Sequence, residues 1–410
     1  MKATPIFRAH GLILAAALGV SVGFTSLGFA QQLNSGAVIV NPDGKVTYLG
    51  TLGGVTNSAS GINDSRQVAG NSYTTGNNST HAFITGPNGV GMTDLGTLGG
   101  KFSYAHGINA SGQVVGYSTY TTEDSYHAFI TGPNGMGMTD LGTPAGLFSL
   151  ATDINDSGQV VGRSFQISDY SGYAFITGPN GMGMTDLGTL GGTSSEVLGI
   201  NDSGQAVGFS STTGNDSAHA FITGPNGLGM TDLGTLGGTN SGARGINASG
   251  QVVGASETKE LDDFFGFQIT HAFITGPDGM GMTDLGTLGG TFSSASGIND
   301  AGQVVGSSKT ADGSVHAFIT GPNGMGMTDL NAYADLPDGV VLTEVAGINN
   351  LGQVIATIPL APAIPEPASY ALMLAGLGLV GFKARRKKLL GRTVTGVEAA
   401  GNSVVIFSSK

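Results

Sequence analysis

A histidine recurs at His81, His127, His219, His271 and His316, each time opening a copy of "HAFITGPNGMGMTDLGTLGG" or a near variant. An imidazole in every copy could ligate a metal or move a proton. Tyr173 and Gly36 stand in its place in two further copies. A metal or catalytic ring would also need further ligands close by, and "HAFIT" offers only apolar neighbours and Thr. The histidine is therefore read as making the same structural hydrogen bond in each copy. A carboxylate recurs too, at Asp94, Asp140, Asp186, Asp232, Asp284 and Asp329, with Tyr48 in the first copy. It could line a channel or bond turn amides, and it is read as bonding turn amides. The Asp of a second motif, "NDSG", gives way to Ala110, Ala248 and Asn350. One carboxylate per loop is thin for calcium, which takes roughly six to eight oxygens. The glycines of "GTLGG" precede no Lys-Ser/Thr and no helix, so they form no phosphate loop. The chain has no Cys, which removes thiol chemistry and Cys-based zinc. No copy breaks the symmetry with a Ser-His-Asp order. No catalytic residue, metal or cofactor is expected, and the protein reads as a non-enzyme.

The spacing of these residues defines the elements that carry them. The Leu of "DLGTLGG" or its equivalent falls at Leu49, Leu95, Leu141, Leu187, Leu233, Leu285 and Leu330, and the Ile of "GINDSGQVVG" at Ile62, Ile108, Ile154, Ile200, Ile246, Ile298 and Ile348. The step is 46 residues except for a 52-residue copy and shorter departures near the end. Each copy holds four short apolar pieces. "HAFIT" alternates in strand fashion, and "GPNG" suits a type I turn closed by Gly at positive φ. "MTDLGTL" follows, "GGT" breaks the chain, "SASGI" leads to the turn "NDSG", and "QVVGSS" completes the set. No apolar period of 3.6 residues runs through the array. The prediction is an all-β, seven-bladed β-propeller, with a β-solenoid of two coils per copy as the alternative. The array starts on an orphan "AVIV" (Ala37 to Val40) and stops on an orphan "QVIAT" (Gln353 to Thr357). Each is the partner the other lacks, as a closed ring requires.

The two ends read as targeting segments. Lys2 and Arg8 precede an apolar run, and Gly28 and Ala30 form a small-residue cleavage site, so residues 1–30 are expected to be a signal peptide. Near the other end, Pro365-Glu366-Pro367 precedes an apolar stretch, Ala368 to Phe382, and a basic cluster that includes Arg385 and Arg386. That stretch is expected to be a single transmembrane helix with its basic side cytoplasmic. Between Gln31 and Ile364 lie 7 basic and 26 acidic residues, about −19 in net charge. An acidic body disfavours nucleic acid.

The motif, helix and cluster at 365–388 resemble the PEP-CTERM sorting segment of Gram-negative bacteria. The resemblance implies processing by an exosortase-type membrane protease in organisms that export polysaccharide. The residues at 36–357 resemble the HAF-repeat family of bacterial extracellular proteins, through the His-Ala-Phe of five copies. The expected organisation is a signal peptide (1–30), the repeat body (31–357), a linker (358–364), the sorting segment (365–388) and a tail (389–410) longer than such segments usually carry.

A ligand would be expected on the segments between "QVVG" and "HAFIT", which vary between copies and carry aromatics. Tyr117, Tyr120 and Tyr126, and Phe264, Phe265 and Phe267 of the 52-residue copy, offer flat apolar faces for sugar rings. The same rings could instead be buried bulk at the sheet edges. The expected function is an exported, non-enzymatic binding or scaffold protein of the cell envelope or exopolysaccharide matrix. A polysaccharide-active enzyme on the same scaffold and a purely structural matrix protein are the alternatives.

Overall fold

A computed structural model of the chain describes residues 35–121, 125–143, 148–165, 172–261 and 266–359. Residues 1–360 and 361–410 form two compact units, and all described residues belong to the first. The expected signal peptide, the transmembrane stretch, Pro365, Glu366, Pro367, Arg385 and Arg386 therefore lie outside the described residues, as do Phe264 and Phe265.

The described chain is all-β. Within each copy the strands pair as an antiparallel meander. Gly53–Ile62 pairs with Val68–Thr74, that strand with Thr80–Ile84, and that one with Thr93–Asp94. The same order recurs from Gly99–Ile108 onward in each later copy. A solenoid of stacked coils would pair like strands in parallel between copies. Here parallel contacts between copies are single bridges such as Phe148 to Tyr126. The pairing is β-propeller-like.

One sheet is made from both ends of the array. Ser35–Val40 pairs antiparallel with Val354–Pro359 over six residues, from Ser35 opposite Pro359 to Val40 opposite Val354. Val345–Ile348 flanks it on one side and Val46–Tyr48 on the other.

The core lies between successive sheets. Ala69, Ala82 and Ile84 of one sheet bury against Ala105, Val114 and Phe129 of the next. Two further clusters join the sheet built from both ends to its neighbours. In one, Ala37, Ile39 and Ile355 meet Val68 and Phe83. In the other, Val38 and Val40 meet Val305 and Ala317. A strand sandwiched between two sheets has no solvent face. That is why "HAFIT" does not alternate as expected: Ala82, Phe83 and Ile84 are all buried. The Phe needs a glycine opposite it. A Cβ on Gly70 would sit 2.8 Å from the Phe83 ring tip and also strike the Ser58 carbonyl.

Two local expectations need correction. In "GPNG" the left-handed residue comes early: Asn88 has φ 60° and Gly89 φ 71°, so the turn is not type I. Asn tolerates that region better than other side chains, and Gly89 donates across to the Arg66 carbonyl. The expected break at "GGT" is instead the start of the ten-residue strand Gly53–Ile62, with register shifts between Gly53 and Asn57 and between Ala59 and Gly61.

The turn "NDSG" binds the sheets into a ring. Asn63 Nδ2 donates to the carbonyl of Asn109, Asn109 to Asn155, and so on through Asn201, Asn247, Asn299 and Asn349, which returns to Asn63; all seven contacts are 3.0–3.2 Å. Each of these side chains also holds its own turn, as Asn155 does by accepting from the Gln159 amide at 2.9 Å. The neighbouring Asp accepts a backbone amide from the preceding copy, as Asp202 does from Asp156 at 2.9 Å and Asp156 from Ala110 at 2.8 Å. Ala110 lacks a carboxylate but still supplies its amide.

Candidate functional site

Register sorts the turns onto two faces. The innermost strand of each sheet runs from the face carrying the turn at Thr74–Thr80 to the face carrying "NDSG", since Gly53 lies opposite Thr74 and Ile62 opposite Val68. "GPNG" shares the second face, where Gly135 donates to the Gly112 carbonyl. The described parts of the segments between "QVVG" and "HAFIT" thus lie toward one loop face.

The structure separates the aromatics expected on that face. Tyr117 and Tyr126 are strand residues rather than loop residues: one lies in Val114–Tyr120, the other begins Tyr126–Thr131. Their rings meet at 5.1 Å between centroids, within a cluster that adds Tyr104, Phe148 and Phe165. Burial, and then Tyr104 and Tyr126, push the Tyr117 hydroxyl up to about 12. Tyr117 and Tyr126 serve here as packing between two sheets. Tyr120 stands apart, at the exposed end of its strand, stacked on His127 at 4.6 Å. Phe267 belongs to another copy and is 72% exposed. In that copy the insertion is a lengthened hairpin, Val252–Leu261 against Gln268–Thr275, with Leu261 opposite Gln268. Leu261 is also exposed. Glu257 ties the hairpin root to the innermost strand, accepting from the Thr239 and Asn240 amides at 3.1 and 2.9 Å.

The recurring His does have a partner that the sequence reading missed. His81 Nδ1 lies 2.9 Å from Asp94, His127 2.8 Å from Asp140, and His219, His271 and His316 make the same contact with Asp232, Asp284 and Asp329. The constant separation of 13 residues was the available signal. The same Asp accepts the amide two residues on, as Asp94 does from Gly96 at 2.8 Å. Asp186 keeps that amide bond although Tyr173 replaces its histidine. Each pair thus pins a third strand to its short outer strand. Among the described residues no group of three or more His, Asp or Glu is placed to hold a metal ion.

The innermost strands surround a channel. Above the Asn ring it opens into a cavity of about 1140 Å³, whose lining includes Ser60, His106, Thr152, Glu196, Arg244 and Glu344. His106 Nδ1 lies 2.8 Å from the Ala151 carbonyl, so that nitrogen carries the proton and Nε2 is the acceptor. Burial lowers the His106 pKa against that hydrogen bond, which keeps the ring neutral. Glu196 is within 3.6 Å of Arg163.

Beside this wall, Asp153 replaces the Gly that precedes Ile in the six other copies (Gly61, Gly107, Gly199, Gly245, Gly297, Gly347). This is a break in the symmetry where none was expected. Asp153 accepts from the Ile154 amide at 2.9 Å and from the Ile200 amide of the next sheet at 3.1 Å. The residue is half-buried and its carboxyl is the part taken from water. Burial raises its pKa from 3.8 to about 6, the two amide bonds pull it down, and Asp202 adds a smaller upward push. The folded state therefore holds this proton more tightly than the unfolded chain. Stability falls as pH rises from about 4 to about 6, and the loss is complete above that. Asp153→Asn removes the charge but turns one of the two accepting oxygens into a donor facing an amide. Relative to the unaltered protein, its stability is therefore expected to be better by about 2–3 kcal/mol at pH 7.5 than at pH 4. Urea unfolding at the two pH values measures this, and an equal effect at both would contradict it.

Residues 363–387 match the PEP-CTERM protein-sorting motif. The motif implies export, membrane-anchored sorting and processing by an exosortase. No curated protein matches the chain. Among solved structures, the chain is similar to a protein assigned as TolB from Agrobacterium tumefaciens (14% identity over 62% of this chain and 88% of that one, TM-score 0.43). It is similar also to TolB from Acinetobacter baumannii (10% identity, 78% and 69% covered, TM-score 0.40) and to a chain of a Nidogen/Laminin complex (9% identity, 61% and 92% covered, TM-score 0.37). Likenesses at this level say nothing of activity.

Proposed function

We propose that the body is a seven-bladed propeller of the HAF-repeat kind, exported behind a cleaved signal peptide, and that it acts as a non-enzymatic binding module of the cell envelope or exopolysaccharide matrix. The observation that carries this reading is the long hairpin of the 52-residue copy. It carries the longest of the variable segments, and it stands on the variable face with Leu261 and Phe267 turned to solvent. An exposed ring beside polar neighbours suits a sugar face. The recurring His–Asp pairs each pin one strand to the next, a structural use that supports the non-enzymatic reading.

The test is retention of the full chain on the host's extracellular polysaccharide. Replacing Phe264, Phe265 and Phe267 with Ala is expected to weaken retention at least tenfold while moving the melting temperature by under about 2 °C; at Phe267, an exposed side chain, truncation removes little buried area. Lost stability with unchanged retention would assign these rings to packing and overturn the reading.

A further inference from the structure

The copies diverge selectively. The residue that follows each "GPNG" or "GPDG" turn is 69–74% exposed, yet it stays apolar: Val90, Met136, Met182, Leu228, Met280 and Met325. Exposure has let these copies change only within one chemical class. The innermost strands behave differently. At the position two before the recurrent Ile, the wall carries Ser60, His106, Thr152, Leu198, Arg244, Ser296 and Ala346 in turn, while the residue just before each is always Ala or Val. The side chains that pack between sheets are uniform, and those that line the channel are individual.

Charge sharpens the contrast. The body is strongly acidic, yet Arg244 stands exposed in the channel wall. Among the described residues it has no ion pair and no side-chain hydrogen bond. An unpaired guanidinium is a fork for a carboxylate. Around it the cavity supplies hydroxyls from Ser294 and Ser296, the carboxylate of Glu344 and the apolar faces of Leu198 and Phe292. Hydroxyl donors and acceptors interleaved with apolar faces suit a sugar ring. A cavity of about 1140 Å³ has room for more than one such ring.

We infer that the channel between the Asn ring and the loop face binds a saccharide bearing a carboxylate, with Arg244 taking the carboxylate and Ser294, Ser296 and Glu344 taking hydroxyls. This rests on the reading of the body as a binding module and places a second, separate site on it.

The experiment is calorimetric titration of the full chain with a tetramer of galacturonic acid and with its fully methyl-esterified form. The acid is expected to bind, and the ester at least tenfold more weakly. Arg244→Gln is expected to cost the acid at least tenfold in affinity at an unchanged melting temperature. Ser296→Phe, which fills the channel, should abolish binding, while Phe267→Ala should leave it intact. Equal binding of acid and ester, no effect of Arg244→Gln, or no binding at millimolar tetramer would each overturn the inference. Loss of binding in Phe267→Ala with none in Arg244→Gln would do the same and place the sugar on the loop face. In the polysaccharide retention assay the variant at Phe264, Phe265 and Phe267 reads the loop face and Arg244→Gln reads the channel, so the two readings fail distinguishably.

Discussion

Deleting Ala37 to Val40 will abolish cooperative melting of the whole body rather than loosen one sheet. The four residues form most of the strand by which the first copy pairs with the last, along Val354–Pro359. Val38, Ile39 and Val40 are at most 2% exposed. At about 1.5–3 kcal/mol for each buried aliphatic side chain, their loss removes roughly 5–9 kcal/mol. That is comparable to the total stability of a typical domain, about 5–15 kcal/mol. The strand serves two interfaces, since Ala37 and Ile39 face one neighbouring sheet and Val38 and Val40 the other. Its removal also leaves one edge of Val354–Pro359 unpaired. Calorimetry should show a broad transition or none. A truncated protein that melts within a few degrees of the intact one would mean that closure does not hold the body together.

The second large effect is expected at the Asn ring. Asn155→Asp changes one atom and leaves no cavity. Asn155 is buried, and its Nδ2 donates to Gln159 Oε1 at 2.9 Å and to the Asn201 carbonyl at 3.1 Å. A carboxylate there can donate to neither and faces two oxygens instead. The two contacts become repulsive and two buried acceptors lose their donor, at about 1–3 kcal/mol each. The loss should reach roughly 3–5 kcal/mol at pH 7. It should shrink at pH 4 and below, where a protonated carboxyl donates again. Equilibrium unfolding in urea at both pH values measures it. A change below about 1 kcal/mol at pH 7 would show that the ring is incidental to stability.

The repeat period carried most of the architecture, because four apolar pieces per copy leave few ways to pair them. The orphan pieces at Ala37 and Gln353 pointed to one another for the same reason. What could be read of the site was less. The Asn of "NDSG" is present in all seven copies, from Asn63 to Asn349, and that constancy marked it, whereas the Asp beside it drew attention and proved replaceable. The link between His81 and Asp94 was visible as a fixed separation, but separation alone does not say that two strands lie side by side. Asp153 was legible as a departure from Gly. Its meaning was not, because burial of a carboxyl depends on the neighbouring sheets. Which residues of "SASGI" line the channel depends on the register shift near Ala59, and no pattern in one strand reveals a shift defined against its partner. Tyr117 and Tyr126 were assigned to loops because the strands extend further than their apolar residues do.

Pairing Val40 with Val354 has a consequence in time. A chain grows from its N-terminus at about 5–20 residues per second, and 314 residues separate the two partners. The first strand, which can pair on one side with Val46–Tyr48, must therefore wait on the order of 15–60 seconds with its other edge unpaired, a form open to association with other chains. Its partner ends at Pro359, and the sorting motif begins at residue 363. The last strand needed for folding and the first residue needed for sorting thus become available within four residues of each other. No sorting segment can be complete before the chain that must fold behind it has been made.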